Sequence, residues 1–235
     1  MELSARRKDI LQGIIEEYIR SAEPVSSGLL ERKYKFKVCP ATLRNEMQKL
    51  TEEGFVSQPH TSAGRVPTDK GYRFFVDNLL AQGARKDDFD LDLDDWLQDN
   101  EIKILQSVTR NLASISSNLA LGYLPDSKIL WKDGWEEIIK EPEFEEKDVI
   151  GDFVNLLENF EKEIEGLEVG SDIRVYIGRE NPLPRAKEFS TIIAKCRFPE
   201  EADGILAIIG PKRMNYGKSI NFLHYLIESL EKNIN

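Results

Sequence analysis

The sequence predicts an α+β protein in three parts: a helical module over residues 1–80, a linker with an amphipathic helix over 81–127, and a mixed α/β sheet module over 128–235. Three observations carry this reading. Apolar residues recur at helical spacing through the first 80 residues. A polar loop, 58–65, is flanked by two short β-prone stretches. After residue 128, three Ile- and Val-rich runs (DIRVYIG, STIIAKCRF and GILAIIG) stand among amphipathic helical patterns.

Composition sets the bounds. A chain of 235 residues suggests one to two domains and can bury a real core. The net charge of −10 is unevenly placed. Residues 1–80 hold 13 Lys+Arg against 11 Asp+Glu, a net of +2, while residues 81–235 hold 19 against 31, a net of −12. The N-terminal part can therefore carry a local basic face. Two distant cysteines, Cys39 and Cys196, give neither a disulfide framework nor a CxxC motif. The polar start MELSARRKDI is unlike a signal peptide, and nowhere do 18 apolar residues run together. The expectation is a soluble, cytoplasmic protein with no membrane partner.

Taken in order, Ser4 caps a first helix to Arg20, with Ile10, Leu11, Ile14, Ile15, Tyr18 and Ile19 on one face. Glu23-Pro24 breaks it. A short second helix runs from about Ser26 to Tyr34, with Leu29 and Leu30 inward. Pro40 opens a third helix, where its missing N–H costs nothing. Leu43, Met47 and Leu50 face inward, and Gly54 ends the helix. Its outward set is Ala41, Asn45 and Gln48, flanked by Thr42, Arg44 and Lys49. Such residues at the start of a helix suit base edges in a major groove. Phe55-Val56-Ser57 and a strand from Val66 flank the loop with its tip at Ala63-Gly64. This order of elements is that of a winged helix-turn-helix. Arg65, at the base of the wing, suits a minor groove or a phosphate. Thr68 caps a fourth helix, and Lys70 and Arg73 near its start also suit a phosphate. A winged helix that binds protein instead of DNA shows the same pattern. His60 reads as a loop residue, because the other histidine, His224, is far away and no metal site follows.

The segments EPVSSGLL, CPATLRNEMQKLTEEGF and QPHTSAGRVPTDKGYRFFVD closely resemble HrcA, the heat-inducible transcription repressor family of bacteria. The resemblance implies a homodimeric repressor on double-stranded DNA, at an inverted-repeat operator upstream of chaperone operons. It implies the chaperonin GroEL as a further partner. Thr42, Arg44, Asn45 and Gln48 would then read bases beside Lys49, and His60, Ser62, Arg65, Lys70 and Arg73 would hold the backbone or the minor groove. Cys39 departs from the serine usual in the family, and a thiol caps a helix poorly.

In the middle, AQGARKDDFDLDLDD reads as a linker or a helix entry. A helix is expected from about Asp95 to Leu121. Leu105, Val108, Leu112, Ile115 and Leu119 form an a/d seam over two heptads. The seam serves either its own domain or a dimer.

Beyond it, Lys128 to Trp131 reads as a strand, GWEEIIKEPEF as a short helix, and Glu145 to Glu165 as a long one. Strands at Asp172–Gly178, Ser190–Phe198 and Gly204–Gly210 precede a last helix from Ser219 to about Lys232. RVYIGREN and GILAIIGPKRMNYGKSI also resemble the family's GAF-like domain, with Lys212 and Asn215 as departures. On the order of a hundred residues that the family usually carries before Ile129 have no counterpart here, so the resemblance implies a reduced GAF-like domain without the inserted dimerisation region. No catalytic set is present, and no metal or cofactor is implied. Cys196 reads as a core thiol, and GPKRMNYGK is not a P-loop. The expected function is a DNA-binding repressor of heat-shock genes rather than an enzyme. A protein-interaction module and a ligand-sensing regulator are the alternatives.

Overall fold

The structure, a computed structural model, divides into two compact units, Met1–Ala81 and Gln82–Asn235. It describes residues 3–34, 36, 38–83, 89, 100–167, 170, 172–199 and 202–232. Most of the acidic run expected as a linker, and the first turn of the helix expected from Asp95, lie outside these residues.

In the first unit, the Ser4 hydroxyl accepts the Arg7 amide at 3.4 Å and starts α1 (Ala5–Ser21). Ala22 turns left-handed and closes it, with its N–H on the Tyr18 carbonyl. Ser26 caps α2 (Ser27–Lys33) in the same way through Leu29. The inner face of α1, Ile10, Leu11, Ile14 and Ile15, is sealed from water. α3 (Pro40–Glu52) packs against it with Leu43, Met47 and Leu50. β1 (Val56–Ser57) and β2 (Val66–Pro67) then pair antiparallel. α4 (Asp69–Gln82) follows, its first turn bonded through Gly71 N–H to the Thr68 hydroxyl.

One buried charge ties α1 to the end of α2. Glu17 is 2% exposed and accepts from Lys33 at 2.5 Å, Arg20 at 3.0 Å and the Tyr34 hydroxyl at 3.1 Å. Burial alone would raise its carboxyl. The hydrogen bonds from Lys33 and Tyr34, with the charges of Arg20 and Lys33, overcome that and hold it below its ordinary value.

The second unit is built on a five-stranded antiparallel sheet in the order β4-β3-β7-β6-β5. The strands are β3 (Leu119–Leu124), β4 (Ile129–Asp133), β5 (Arg174–Ile177), β6 (Phe189–Arg197) and β7 (Asp203–Pro211). Helices cover both faces, which is why β3, β6 and β7 read as nearly unbroken apolar runs. On one face, α6 (Trp135–Ile138), a 3-10 turn at Pro142–Glu145 and α7 (Lys147–Glu163) bring Ile138, Phe144, Phe153, Leu156 and Phe160 onto Leu119, Leu121, Ile205, Ala207 and Ile209. On the other, α5 (Glu101–Ser116) and α8 (Tyr216–Lys232) pack on the sheet and on each other. A Cβ on Gly122 would fall 2.4 Å from the Thr109 hydroxyl oxygen and 2.6 Å from a Leu105 methyl, so glycine is what lets α5 lie this close.

Two expectations are corrected here. The helix expected to reach Leu121 stops at Ser116, and Leu119 belongs to β3. Ser117 adopts φ 55, and the Asn118 side chain donates back to the Ser116 carbonyl at 2.6 Å, which ends the helix. The apolar run then continues with period two. The seam faces its own unit, one of the two roles expected for it: Leu105, Val108 and Leu112 are fully buried within the second unit, and Ile115 is half-buried. The segment expected to stand between two domains is thus largely one layer of the second unit.

Leu112→Ala is expected to cost the second unit about 2–5 kcal/mol, read as a lower denaturant midpoint. An unchanged midpoint with weaker self-association would instead make the seam a contact between copies.

Candidate nucleic-acid interface

α3 presents its polar face because Leu43, Met47 and Leu50 take the inner one. Arg44, Asn45, Gln48 and Lys49 are exposed beside Ala41, and Thr42 is half-exposed. Arg44 Nε donates to the Ser27 hydroxyl at 3.4 Å, which sets its guanidinium between the starts of α2 and α3. Lys49 lies 4.0 Å from Glu46 on its own helix. Cys39 occupies the N-cap and makes no side-chain cap bond. Its sulfur instead sits 3.2 Å from Thr42 Oγ1. That contact, with the backbone N–H groups of Thr42 and Ala41, draws the exposed thiol below its ordinary pKa.

The hairpin is fastened to this helix. Gln58 Nε2 donates to the carbonyls of Thr61 and Ala63, both at 2.9 Å, and folds the loop on itself. His60 and Ser62 meet at 3.2 Å on the exposed loop. Val25 and Arg65 exchange backbone bonds of 2.9 and 2.8 Å, a single antiparallel bridge beside the pair. A Cβ on Gly64 would lie 2.4 Å from the Val25 carbonyl carbon, so only glycine allows this approach. Arg65 then points back to α3. Its Nε donates to Thr51 Oγ1 at 2.8 Å and its Nη2 to Gln48 Oε1 at 3.2 Å.

The structure thus gathers Thr42, Arg44, Asn45, Gln48 and Lys49 on α3, with the Arg65 side chain reaching them from the hairpin and His60 and Ser62 on the adjoining loop. Lys70 and Arg73 are engaged elsewhere. Lys70 donates to the Glu53 carbonyl at 2.7 Å and lies 4.4 Å above the Phe55 ring, closing the C-terminus of α3. Arg73 bonds Asp77 one turn on, at 3.3 Å. Ser27, Thr51 and Gln58 were not singled out by sequence reasoning. Thr51 stands one turn beyond Gln48, a legible spacing. The pairing of Ser27 with Arg44 depends on how α2 and α3 cross, which no local pattern shows.

In the second unit an open cleft of about 330 Å³ is lined by charged residues (Asp126, Lys128, Glu165, Lys195 and Asp203) together with Pro125, Leu167 and Ile205. The Tyr123 hydroxyl donates to Glu165 at 2.5 Å, and that bond pushes its pKa up to about 12. Arg213 forks onto Glu141 and Glu143, and Lys212 reaches Glu188 at 3.4 Å, so Lys212 and Arg213 of GPKRMNYGK hold the loop in place. Cys196 is buried, and desolvation drives its thiol far above the ordinary value. Among the described residues there is no cluster of three metal-ligating side chains, and no helix is long and apolar enough to cross a membrane.

The profile of the HrcA protein C terminal domain matches residues 76–220, more than half of the chain. The chain belongs to the HrcA family. The heat-inducible transcription repressor HrcA of Thermodesulfovibrio yellowstonii is 26% identical to it, over 99% of this chain and 98% of the relative. That alignment runs over 341 positions, so with 235 residues here at least 106 positions of the relative have no counterpart. The repressor HrcA of Acetivibrio thermocellus is 41% identical over 131 residues, 54% of this chain and 37% of the relative. That of Natranaerobius thermophilus is 55% identical over 82 residues, 35% of this chain and 24% of the relative. A crystal structure of a hypothetical protein at 2.2 Å resolution shares the fold, with a TM-score of 0.83 at 20% identity over 99% of both chains. The named HrcA relatives are repressors, not enzymes.

In this HrcA chain the uncapped thiol of Cys39 yields a direct test. Cys39→Ser is expected to raise the melting temperature of the first unit, because a hydroxyl can take the free helix N–H that sulfur leaves. An unchanged melting temperature would mean that water satisfies that group equally well.

Proposed function

We propose that this chain is a transcription repressor that binds an inverted-repeat DNA operator as a homodimer through the first unit, folded as a winged helix-turn-helix. The observation that carries the reading is the exposed polar face of α3, Arg44, Asn45 and Gln48, backed by the hairpin that Arg65 fastens to it. These side chains pair with guanine and adenine edges. One α3 fits one half-site, so the inverted repeat calls for two copies. In this reading the second unit is a reduced GAF-like domain. Control of heat-shock genes and a GroEL-type chaperonin partner rest on the family resemblance. The proposed DNA-facing set is Thr42, Arg44, Asn45, Gln48, Lys49, His60 and Ser62, with Arg65 bonded behind Gln48. Lys70 and Arg73 act mainly by holding the scaffold behind it.

Family membership supports the repressor role. The net charge of −10 does not oppose it, because the acidity lies in residues 81–235. The salt dependence should scale with the number of cations on the α3 face that meet phosphates.

Binding of a fluorescent duplex across a salt series tests this. The chain should prefer the inverted repeat over random DNA, and its affinity should fall with salt. Arg44→Ala should weaken repeat binding by about 1–3 kcal/mol and change random-sequence binding little. Equal affinity for repeat and random duplex, or indifference to salt, contradicts the proposal.

A further inference from the structure

We propose that Arg65 and Glu52 act on DNA through Gln48, holding its amide in the orientation that pairs with adenine. This rests on the DNA-binding reading above and assigns two positioning residues and one base preference to it.

The inference follows a chain of hydrogen bonds with one consistent direction. The Thr51 hydroxyl donates to the Met47 carbonyl at 3.0 Å, which leaves its oxygen as an acceptor. Arg65 Nε fills that acceptor at 2.8 Å, and this fixes the plane of the guanidinium. The same guanidinium donates through Nη2 to Gln48 Oε1 at 3.2 Å. On its other side, Gln48 Nε2 donates to Glu52 Oε1 at 3.2 Å. A glutamine amide has two acceptor sites and two N–H donors. Arg65 takes one acceptor site and Glu52 takes one donor. One of each remains on the amide for a base edge.

That residual pair matches adenine, which offers an N6–H donor and an N7 acceptor in the major groove. Guanine offers two acceptors there and satisfies only half of it. Turning the amide over would set its NH2 against the guanidinium and its oxygen against the carboxylate, so both neighbours oppose the flip. The brace also accounts for an exposed carboxylate on a face that approaches phosphates. Glu52 would otherwise only repel DNA, whereas here it orders a reading residue before contact.

The role differs from that of a phosphate clamp in a measurable way. A cation on a phosphate weakens every sequence alike when removed and lowers the salt slope by about one. A positioning cation changes preference at one base pair per half-site and leaves the slope alone.

The test uses the full chain and fluorescence anisotropy. The duplexes are the inverted repeat and a set with each half-site position substituted symmetrically. Wild type should show one adenine per half-site whose replacement costs about five- to a hundredfold, and Gln48→Ala should lose that preference. Arg65→Ala and Glu52→Ala should lose the same preference, keep the others and keep the salt slope. Thr51→Val leaves Arg65 in place and removes only its anchor, so it should reproduce the loss even if Arg65→Ala disturbs the hairpin. A uniform weakening with a shallower slope in Arg65→Ala overturns the proposal and makes Arg65 a phosphate contact. Retained adenine preference in both Thr51→Val and Glu52→Ala, or a Gln48-dependent preference for another base, overturns it too. A wild-type chain that does not distinguish the repeat at all refutes the DNA-binding reading itself.

Discussion

The two backbone bonds between Val25 and Arg65 govern the first unit. They set the hairpin against the segment that leads into α2, and so fix where the Arg65 side chain begins. Everything on the outer face of α3 depends on that placement. Gly64 permits it by lacking a Cβ that would strike Val25, and Thr51 receives it. Pro40, Leu43, Met47 and Leu50 set the helix from the other side. The geometry that meets DNA in the proposed reading is therefore held by groups that do not touch DNA.

This explains the character of the family string in the first unit. Much of QPHTSAGRVPTDKGYR serves the scaffold rather than the contact. Gln58 folds the loop, Gly64 allows the close approach, Thr68 caps α4, and Lys70 closes the end of α3. A string this dense in hydrogen-bonding and turn residues resembles a contact surface when met as a sequence. In the structure it is mostly a joint, and the reading face is the shorter set on α3.

Periodicity made the first unit legible, because its helices begin at the Ser4 and Ser26 caps and at Pro40 and bury one face each. It misled at Leu119. There the heptad spacing of α5 runs straight into an apolar strand, and the stop is set by Ser117 and the side chain of Asn118 rather than by proline. Gly122 is the point where helix and sheet nearly touch. The exposed side chains of α3 could be read from spacing alone, but their mutual orientation could not. The pairing of Arg65 with Thr51 and Gln48 spans 14 and 17 residues and exists only once the hairpin has docked. α5 is packed into its own unit, and more than a hundred positions of the Thermodesulfovibrio yellowstonii relative have no counterpart in this chain.

Backbone amide shifts of the isotope-labelled full chain, recorded as an inverted-repeat duplex is added, test the central claim most directly. The account predicts that the largest changes fall on residues 41–49 and 58–65, with 203–211 in the central sheet nearly unmoved. Changes concentrated in the second unit, with α3 and its hairpin unaffected, would contradict it.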